Sequence, residues 1–144
     1  ATYPRLPHRQ ERVAQPDGVL WVNDSKATNA DSAEKALASY GRVVWIAGGT
    51  GKEGGIAPLA PLFGRVAHAL LIGRDGPEFA ATLAAHGVAH EVAGTLEAAV
   101  ARARALAERG DVVLLSPAAA SWDQFTGFDA RGDLFRRLVQ EGGA

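Results

Sequence analysis

The sequence predicts an α/β domain of three layers, a mainly parallel sheet of about six strands with helices on both faces. Three observations lead there. Short β-favouring apolar runs alternate with amphipathic segments along the whole chain, the pattern of right-handed strand–helix–strand units. Three of these runs, residues 42–47, 66–72 and 111–115, are almost continuously apolar, as strands covered on both faces must be. The length, 144 residues with 47% hydrophobic content, is that of one domain. A chain of this size buries about 68–70% of the surface its unfolded form exposes.

The elements follow in order. Residues 1–9 carry two prolines around Leu6 and no periodicity, and read as an interdomain linker or hinge. Residues 10–13 form a short edge strand, closed by the turn sequence Gln15-Pro16-Asp17-Gly18. A strand over 19–23 comes next. Residues 31–40 place Ala33, Ala36, Leu37 and Tyr40 on one helical face, with Gly41 as the left-handed residue beyond its end. After strand 42–47 come a glycine-rich loop, 48–55, and a short helical piece around 59–63 broken by Pro58 and Pro61. Strand 66–72 leads through Gly73-Arg74-Asp75-Gly76 to a helix over 77–86, closed by Gly87. A weak strand, 89–92, precedes Thr95, which caps an alanine-rich helix running to Glu108. Glu97 in its first turn and Arg109 at its end suit the helix dipole, and Gly110 terminates it. Strand 111–115, a loop over 116–127 and an amphipathic helix over 128–141 complete the chain; Phe128, Leu134, Phe135, Leu138 and Val139 form the apolar side of that helix.

Composition excludes several classes of function. The absence of cysteine rules out a disulfide framework and a thiolate metal site. A formal net charge of -1 and a pI near 6.5 provide no general attraction for nucleic acid or anionic lipid, so neither partner is expected. No apolar run approaches the roughly 20 residues a membrane span requires, and no signal peptide is visible. These features point to a cytoplasmic chain without membrane insertion. The methionine count is zero and the opening is linker-like, so the chain is expected to be a piece of a longer protein, carrying part of an active site.

Three loops, each following a strand, are the candidate chemistry, and in a parallel sheet they must emerge on one edge. The first, Asn23-Asp24-Ser25-Lys26-Ala27-Thr28-Asn29, brings together an acceptor, a cation and a hydroxyl. It also reads as an Asx-type turn at Asn23 and Asp24, with Asn29 or Asp31 capping the next helix and Lys26 solvated. The second holds Gly49-Thr50-Gly51-Lys52-Glu53-Gly54, a literal match to the dinucleotide fingerprint G-x-G-x-x-G. Gly55, Pro58 and Pro61 oppose the helix that such a fingerprint must open. A Walker A motif is absent, since Ile46 stands where its first glycine belongs and Glu53 follows Lys52. What remains is a glycine-rich backbone presenting Lys52, costly in entropy and suited to close approach by a ligand. The third, Ser116-Pro117-Ala118-Ala119-Ala120-Ser121-Trp122-Asp123-Gln124-Phe125, is a run of small residues with a hydroxyl at Ser121.

Taken together, these loops resemble those of the Mur ligase C-terminal domain, in its D-glutamate-adding branch. The motifs that carry the resemblance are Leu6-Pro7-His8-Arg9, the stretch from Asn23 to Asn29, Gly48-Gly49-Thr50-Gly51-Lys52, the stretch from Leu114 to Phe125, Phe128 and Arg131-Gly132-Asp133. They span essentially the whole chain. Thr50, Ala119 and Trp122 depart from the acidic residue, cysteine and aliphatic residue usual at these places.

The resemblance implies a Rossmann-like domain over residues 10–144, following the linker at 1–9, in an ATP-dependent amide ligase of peptidoglycan precursor synthesis. In such enzymes ATP phosphorylates the L-alanine carboxylate of UDP-N-acetylmuramoyl-L-alanine. The D-glutamate amine then attacks the acyl phosphate and phosphate leaves. By resemblance Lys26, Thr28, Lys52, Ser121, Trp122 and Phe128 bind D-glutamate, while His8, Arg9, Asn23, Asp24 and Lys26 contact ATP. A lysine about 4 Å from a carboxylate contributes about 4 kcal/mol at an effective dielectric near 20, against about 1 kcal/mol for a serine hydrogen bond. Lys52 is therefore expected to dominate affinity. ATP and Mg2+ are expected in the full-length enzyme, with its central and N-terminal domains as partners; this domain alone would bind neither tightly, carry no catalytic residue and hold no metal. His68, His86 and His90, with no carboxylate or second histidine at ligand spacing, are expected to be structural or solvated. The competing reading is a stand-alone nucleotide-binding module built on the glycine loop.

Overall fold

The structure, a computed structural model, describes residues 11–14, 18–28, 30–49, 56–73, 76–118 and 127–142. It contains six strands: β1 Glu11–Ala14, β2 Leu20–Asn23, β3 Val43–Gly48, β4 Val66–Ile72, β5 His90–Gly94 and β6 Val112–Leu115. Four α-helices accompany them, α1 Ala30–Ala38, α2 Gly76–Ala85, α3 Leu96–Leu106 and α4 Phe128–Gly142, with a 3-10 helix over Ala57–Arg65 between β3 and β4. The strands form one sheet in the order β1-β2-β6-β3-β4-β5, in which only β1 runs antiparallel. The predicted class is the observed one.

The apolar runs sort themselves by face. Alternate residues Val22, Trp45, Ala47, Leu71 and Leu114 pack under α1, the 3-10 helix and α2. Their neighbours Trp21, Val44, Ile46, Leu70, Val113 and Leu115 pack under α3 and α4. That is why β3, at the centre, is buried at all six positions, while the edge strand β5 is buried at none. The change of face has a topological cause. The chain moves outward through β3, β4 and β5 with its helices on one side, then returns through α3 on the other side to insert β6 between β2 and β3. Right-handed crossovers in opposite directions must lie on opposite faces.

Helix ends confirm some predicted signals and correct others. Thr95 caps α3, its hydroxyl accepting from the Ala98 N–H at 3.2 Å. Gly87, at φ +70°, closes α2 in a Schellman motif, with Val88 N–H donating to Leu83 O and Gly87 N–H to Ala84 O. Gly41 does not play that part for α1. The helix stops at Ala38, Gly41 has no positive φ, and the last carbonyls are taken by the Ser39 hydroxyl and N–H, the Tyr40 N–H and the Arg65 guanidinium instead. Tyr40 thus lies beyond the helix, half-buried against the core. Likewise α3 ends at Leu106 and not at Glu108; Gly110, at φ +95°, serves the turn into β6 by donating to Gly18 O. The turn Gln15-Pro16-Asp17 lies outside the described residues, with Gly18 at φ +79° on its far side.

Candidate functional site

Strands β2, β6 and β3 are adjacent and parallel, with Asn23 level with Leu115 and Leu115 level with Ile46. Their C-terminal ends therefore form one rim. The chain leaves β2 and β3 toward one face and β6 toward the other, so this rim is the topological switch point where open α/β sheets hold ligands.

Hydrogen bonds tie the starts of the three loops to one another. The Asp24 N–H donates to Leu115 O at 2.7 Å, and the Ser116 hydroxyl donates to an Asp24 carboxylate oxygen at 2.8 Å. Ala118 N–H reaches Ala27 O at 2.9 Å, and Gly48 N–H reaches Pro117 O at 2.9 Å. Ser116 N–H donates to Ile46 O, and Trp45 returns an indole N–H to Ser116 O at 2.7 Å. Two backbone features make this closeness possible. A Cβ on Gly48, at φ +120°, would stand 2.0 Å from Ile72 O, so only glycine fits there. Ala118, whose N–H meets Ala27 O, holds the left-handed φ of +56° while buried.

The predicted residues fare differently. Asn23 is fully buried: its Oδ1 accepts from Ser25 N–H at 3.1 Å, closing the Asx turn, and its Nδ2 donates to Glu11 and to Gly132 O. Its side chain faces the interior of the fold. Asp24 is 4% exposed and lies at the rim; Lys26 is exposed and Thr28 half-buried, one residue beyond the anchored Ala27. His8, Arg9, Asn29, Lys52, Ser121 and Trp122 lie outside the described residues, and of Phe128 only its place at the start of α4 is described. Sequence reasoning assigned no role to Ser25 or Arg131. Both are fully buried, and Arg131 donates from Nε to the Ser25 hydroxyl at 2.9 Å and from a terminal nitrogen to Ser25 O at 2.8 Å. A cation on an otherwise amphipathic helix, four residues before the buried Phe135, is the signal that marks Arg131 in hindsight.

Elsewhere, His68 plays a structural part and meets a carboxylate that its sequence neighbourhood does not show. Its Nε2 lies 3.0 Å from Glu91, which stands 23 residues away and is brought alongside by the pairing of β4 with β5. Arg102 grips the same carboxylate with two bonds of 2.9 Å, and this guanidinium, ahead of His68, holds the Glu91 pKa below its ordinary value despite partial desolvation. The glycine loop leads into the 3-10 helix with Pro58 at its start and Pro61 inside it, so no α-helix N-terminus follows it to hold a pyrophosphate. Among the described residues no three His, Asp or Glu side chains cluster as metal ligands, and no helix is long and apolar enough to cross a membrane.

Comparison with known proteins agrees with the motifs. Residues 8–119 match the family described as Mur ligase, glutamate ligase domain. A UDP-N-acetylmuramoylalanine--D-glutamate ligase from Paramagnetospirillum magneticum is 58% identical over the full chain, and one from Rhodospirillum rubrum is 56% identical over 98% of it. The chain spans about a third of the length of these curated relatives, 33% and 30% respectively. Among solved structures, a bifunctional folylpolyglutamate synthase/dihydrofolate synthase from Yersinia pestis, complexed with AMPPNP and Mn ion, superposes with a TM-score of 0.63 at 26% identity. That superposition covers 93% of this chain and 32% of the other. A UDP-N-acetylmuramate-alanine ligase from Thermotoga maritima, 12% identical, shares the fold at a TM-score of 0.62 over 94% of this chain and 30% of its own.

Proposed function

Because the chain belongs to the Mur ligase family through its glutamate ligase domain, we propose that it is the D-glutamate-binding part of a larger ATP-dependent ligase acting on UDP-N-acetylmuramoyl-L-alanine. The observation that carries this reading is the bonding of three loop starts at a single rim, by Asp24 to Ser116, Ala27 to Ala118 and Gly48 to Pro117. Three residues of chain extend about 11 Å at most. Lys52 follows Gly49, and Ser121 follows Ala118, by only three residues of chain, and Thr28 adjoins the anchored Ala27. A dicarboxylic amino acid fits such a rim, with Lys52 and Thr28 on its side-chain carboxylate and Ser121 and the start of α4 at its other end.

The chemistry proceeds in two balanced steps. The alanine carboxylate oxygen attacks the terminal phosphorus of ATP and ADP departs; the D-glutamate amine then attacks the acyl carbon, loses a proton and expels inorganic phosphate. This chain's share is to bind and orient the amine donor, with Lys26 and Asp24 facing the nucleotide and Arg9 and His8 reaching it from the linker. Among the described residues no three His, Asp or Glu side chains cluster as metal ligands, and the ligands of Mg2+ are assigned to the rest of the enzyme. The phosphate machinery belongs to the remaining two thirds of the enzyme. Closure of this domain over ATP would complete the site and exclude water.

The test uses the full-length ligase with the nucleotide precursor, ATP and a panel of amino acids. Incorporation of D-glutamate is expected, and Lys52→Ala is expected to raise the KM for D-glutamate by tenfold or more, on the order of 1.4 kcal/mol of lost binding, while leaving that for ATP nearly unchanged. An unchanged D-glutamate KM would remove Lys52 from the pocket.

A further inference from the structure

We propose that Ser25 is a positioning residue, gripped by Arg131 of α4 so that the turn bearing Lys26 and Thr28 and the chain that follows the third loop are held as one piece. The inference rests on the reading that this rim binds D-glutamate, and assigns a role to two residues that reading leaves unused. Neither side chain reaches the surface, since both are fully buried. Their effect on a ligand must therefore pass through what they hold.

The geometry of the grip is specific. One guanidinium spans the hydroxyl and the carbonyl of a single residue, at 2.9 and 2.8 Å, which fixes both the χ1 angle of Ser25 and the plane of its peptide. The same turn is held from two more directions, by Ser25 N–H to Asn23 Oδ1 and by Asn23 Nδ2 to Gly132 O. Helix α4 thus holds the first loop through consecutive residues, Arg131 and Gly132. The third loop lies between β6 and α4, and its start is bonded to the first loop through Ala118 and Ala27. Both ends of the third loop are accordingly fastened to the turn that carries Thr28. A buried cation costs several kcal/mol in desolvation, and apolar replacements of such groups are often as stable. Stability alone is a poor reason for an arginine here, whereas fixing the angle between two walls of a pocket is a good one.

Two variants, Ser25→Ala and Arg131→Lys, test the grip by two measurements. In the 144-residue chain, Ser25→Ala removes the hydroxyl acceptor and leaves the carbonyl. Amide hydrogen exchange at Ala27 and Ala118 is expected to quicken about tenfold to a hundredfold, the factor for losing one charged hydrogen bond, with Ile46 and Leu70 unaltered. In the full-length ligase the same variant is expected to raise the KM for D-glutamate about fivefold or more, with that for ATP within about twofold. Arg131→Lys, which keeps the charge but loses the planar fork that spans hydroxyl and carbonyl, is expected to quicken exchange at the same two amides and to raise the same KM. Unchanged exchange at Ala27 and Ala118, equal acceleration throughout the sheet, or a parallel rise of both KM values would overturn the proposal. A failure of the pocket reading looks different: Lys52→Ala would then leave the D-glutamate KM unmoved while the exchange result for Ser25→Ala stood.

Discussion

Gly48→Ala isolates the physical demand on which the rim depends. Gly48 is the last residue of β3, and its N–H donates to Pro117 O at the start of the third loop. An alanine there would have to hold φ +120°, a region nearly closed to L-residues, at about 1–3 kcal/mol. Its methyl carbon would also lie 2.0 Å from the Ile72 carbonyl oxygen, more than 1 Å inside contact, and would push β4 away from β3. Overpacking of that kind costs a further 1–3 kcal/mol or so. Together the loss is about 4 kcal/mol of the roughly 5–15 available to such a domain. At about 4 °C per kcal/mol for a chain of this size, Tm should fall by about 15 °C. Gly41→Ala is the matched control, because nothing lies within 4 Å of its added carbon and its φ is not positive. It should leave Tm unchanged or raise it slightly, by about 0.4–1 kcal/mol of reduced unfolded-state entropy. Thermal melts of the two variants beside the parent chain decide the matter. A fall of under about 4 °C for Gly48→Ala would mean that the strands do not approach as described and that the rim is looser than argued.

Two further outcomes are expected. Ser116→Ala removes the hydroxyl that bonds the Asp24 carboxylate, and urea unfolding should show a loss of about 1.5–3 kcal/mol, the worth of a buried bond to a charged group; a loss under about 0.5 would refute the bond's importance. Glu91→Gln tests the cluster of His68, Glu91 and Arg102. Because Arg102 lowers the Glu91 pKa, the carboxylate contributes stability that is present above its ordinary pKa and disappears as pH falls through the lowered value. The Tm gap between parent and variant should therefore be open at pH 7 and narrow as pH falls below the ordinary carboxylate range, and a gap independent of pH would contradict the pairing.

Most of the fold was legible because the determinants are local. The strand over 66–72 was read at its true bounds, since a continuous apolar run between a 3-10 helix and a glycine turn has no competing period. Thr95 and Gly87 were legible because a cap and a left-handed glycine act within one turn of their helix. Gly41 misled for the complementary reason. The carbonyl of Ala38 at the end of α1 is held by Arg65, 27 residues away in sequence, and no local pattern announces it. The same limit hid the pairing of His68 with Glu91 and the grip of Arg131 on Ser25, 106 residues apart. In the candidate site, the three loops were legible as motifs and their common edge as a consequence of parallel pairing. What the motifs could not supply was the division of labour within the first loop, where Asn23 faces inward and Lys26 outward. That depends on which side of the turn α4 covers.

The order of the sheet links the making of the fold to the making of the site. Strand β6 is four residues long, yet among the described strands it is the one that joins β1 and β2 to β3, β4 and β5. Its partners lie far away in sequence, with Leu20 opposite Val112 and Val43 opposite the same residue. Until β6 inserts, β2 and β3 share no neighbouring strand, and the sheet sets no relation between the first and second loops. Closing chain segments of that length is entropically costly, and it is repaid only when Val113, Leu114 and Leu115 become fully buried on both faces. The same insertion brings Ser116 to Asp24, Pro117 to Gly48 and Ala118 to Ala27. The rim is thus assembled by the event that completes the core, and its loop starts take their rigidity from the most deeply buried part of the sheet. A pocket founded this way takes its register from the anchored residues Ala27, Gly48 and Ala118, whatever the composition of the loops that follow them.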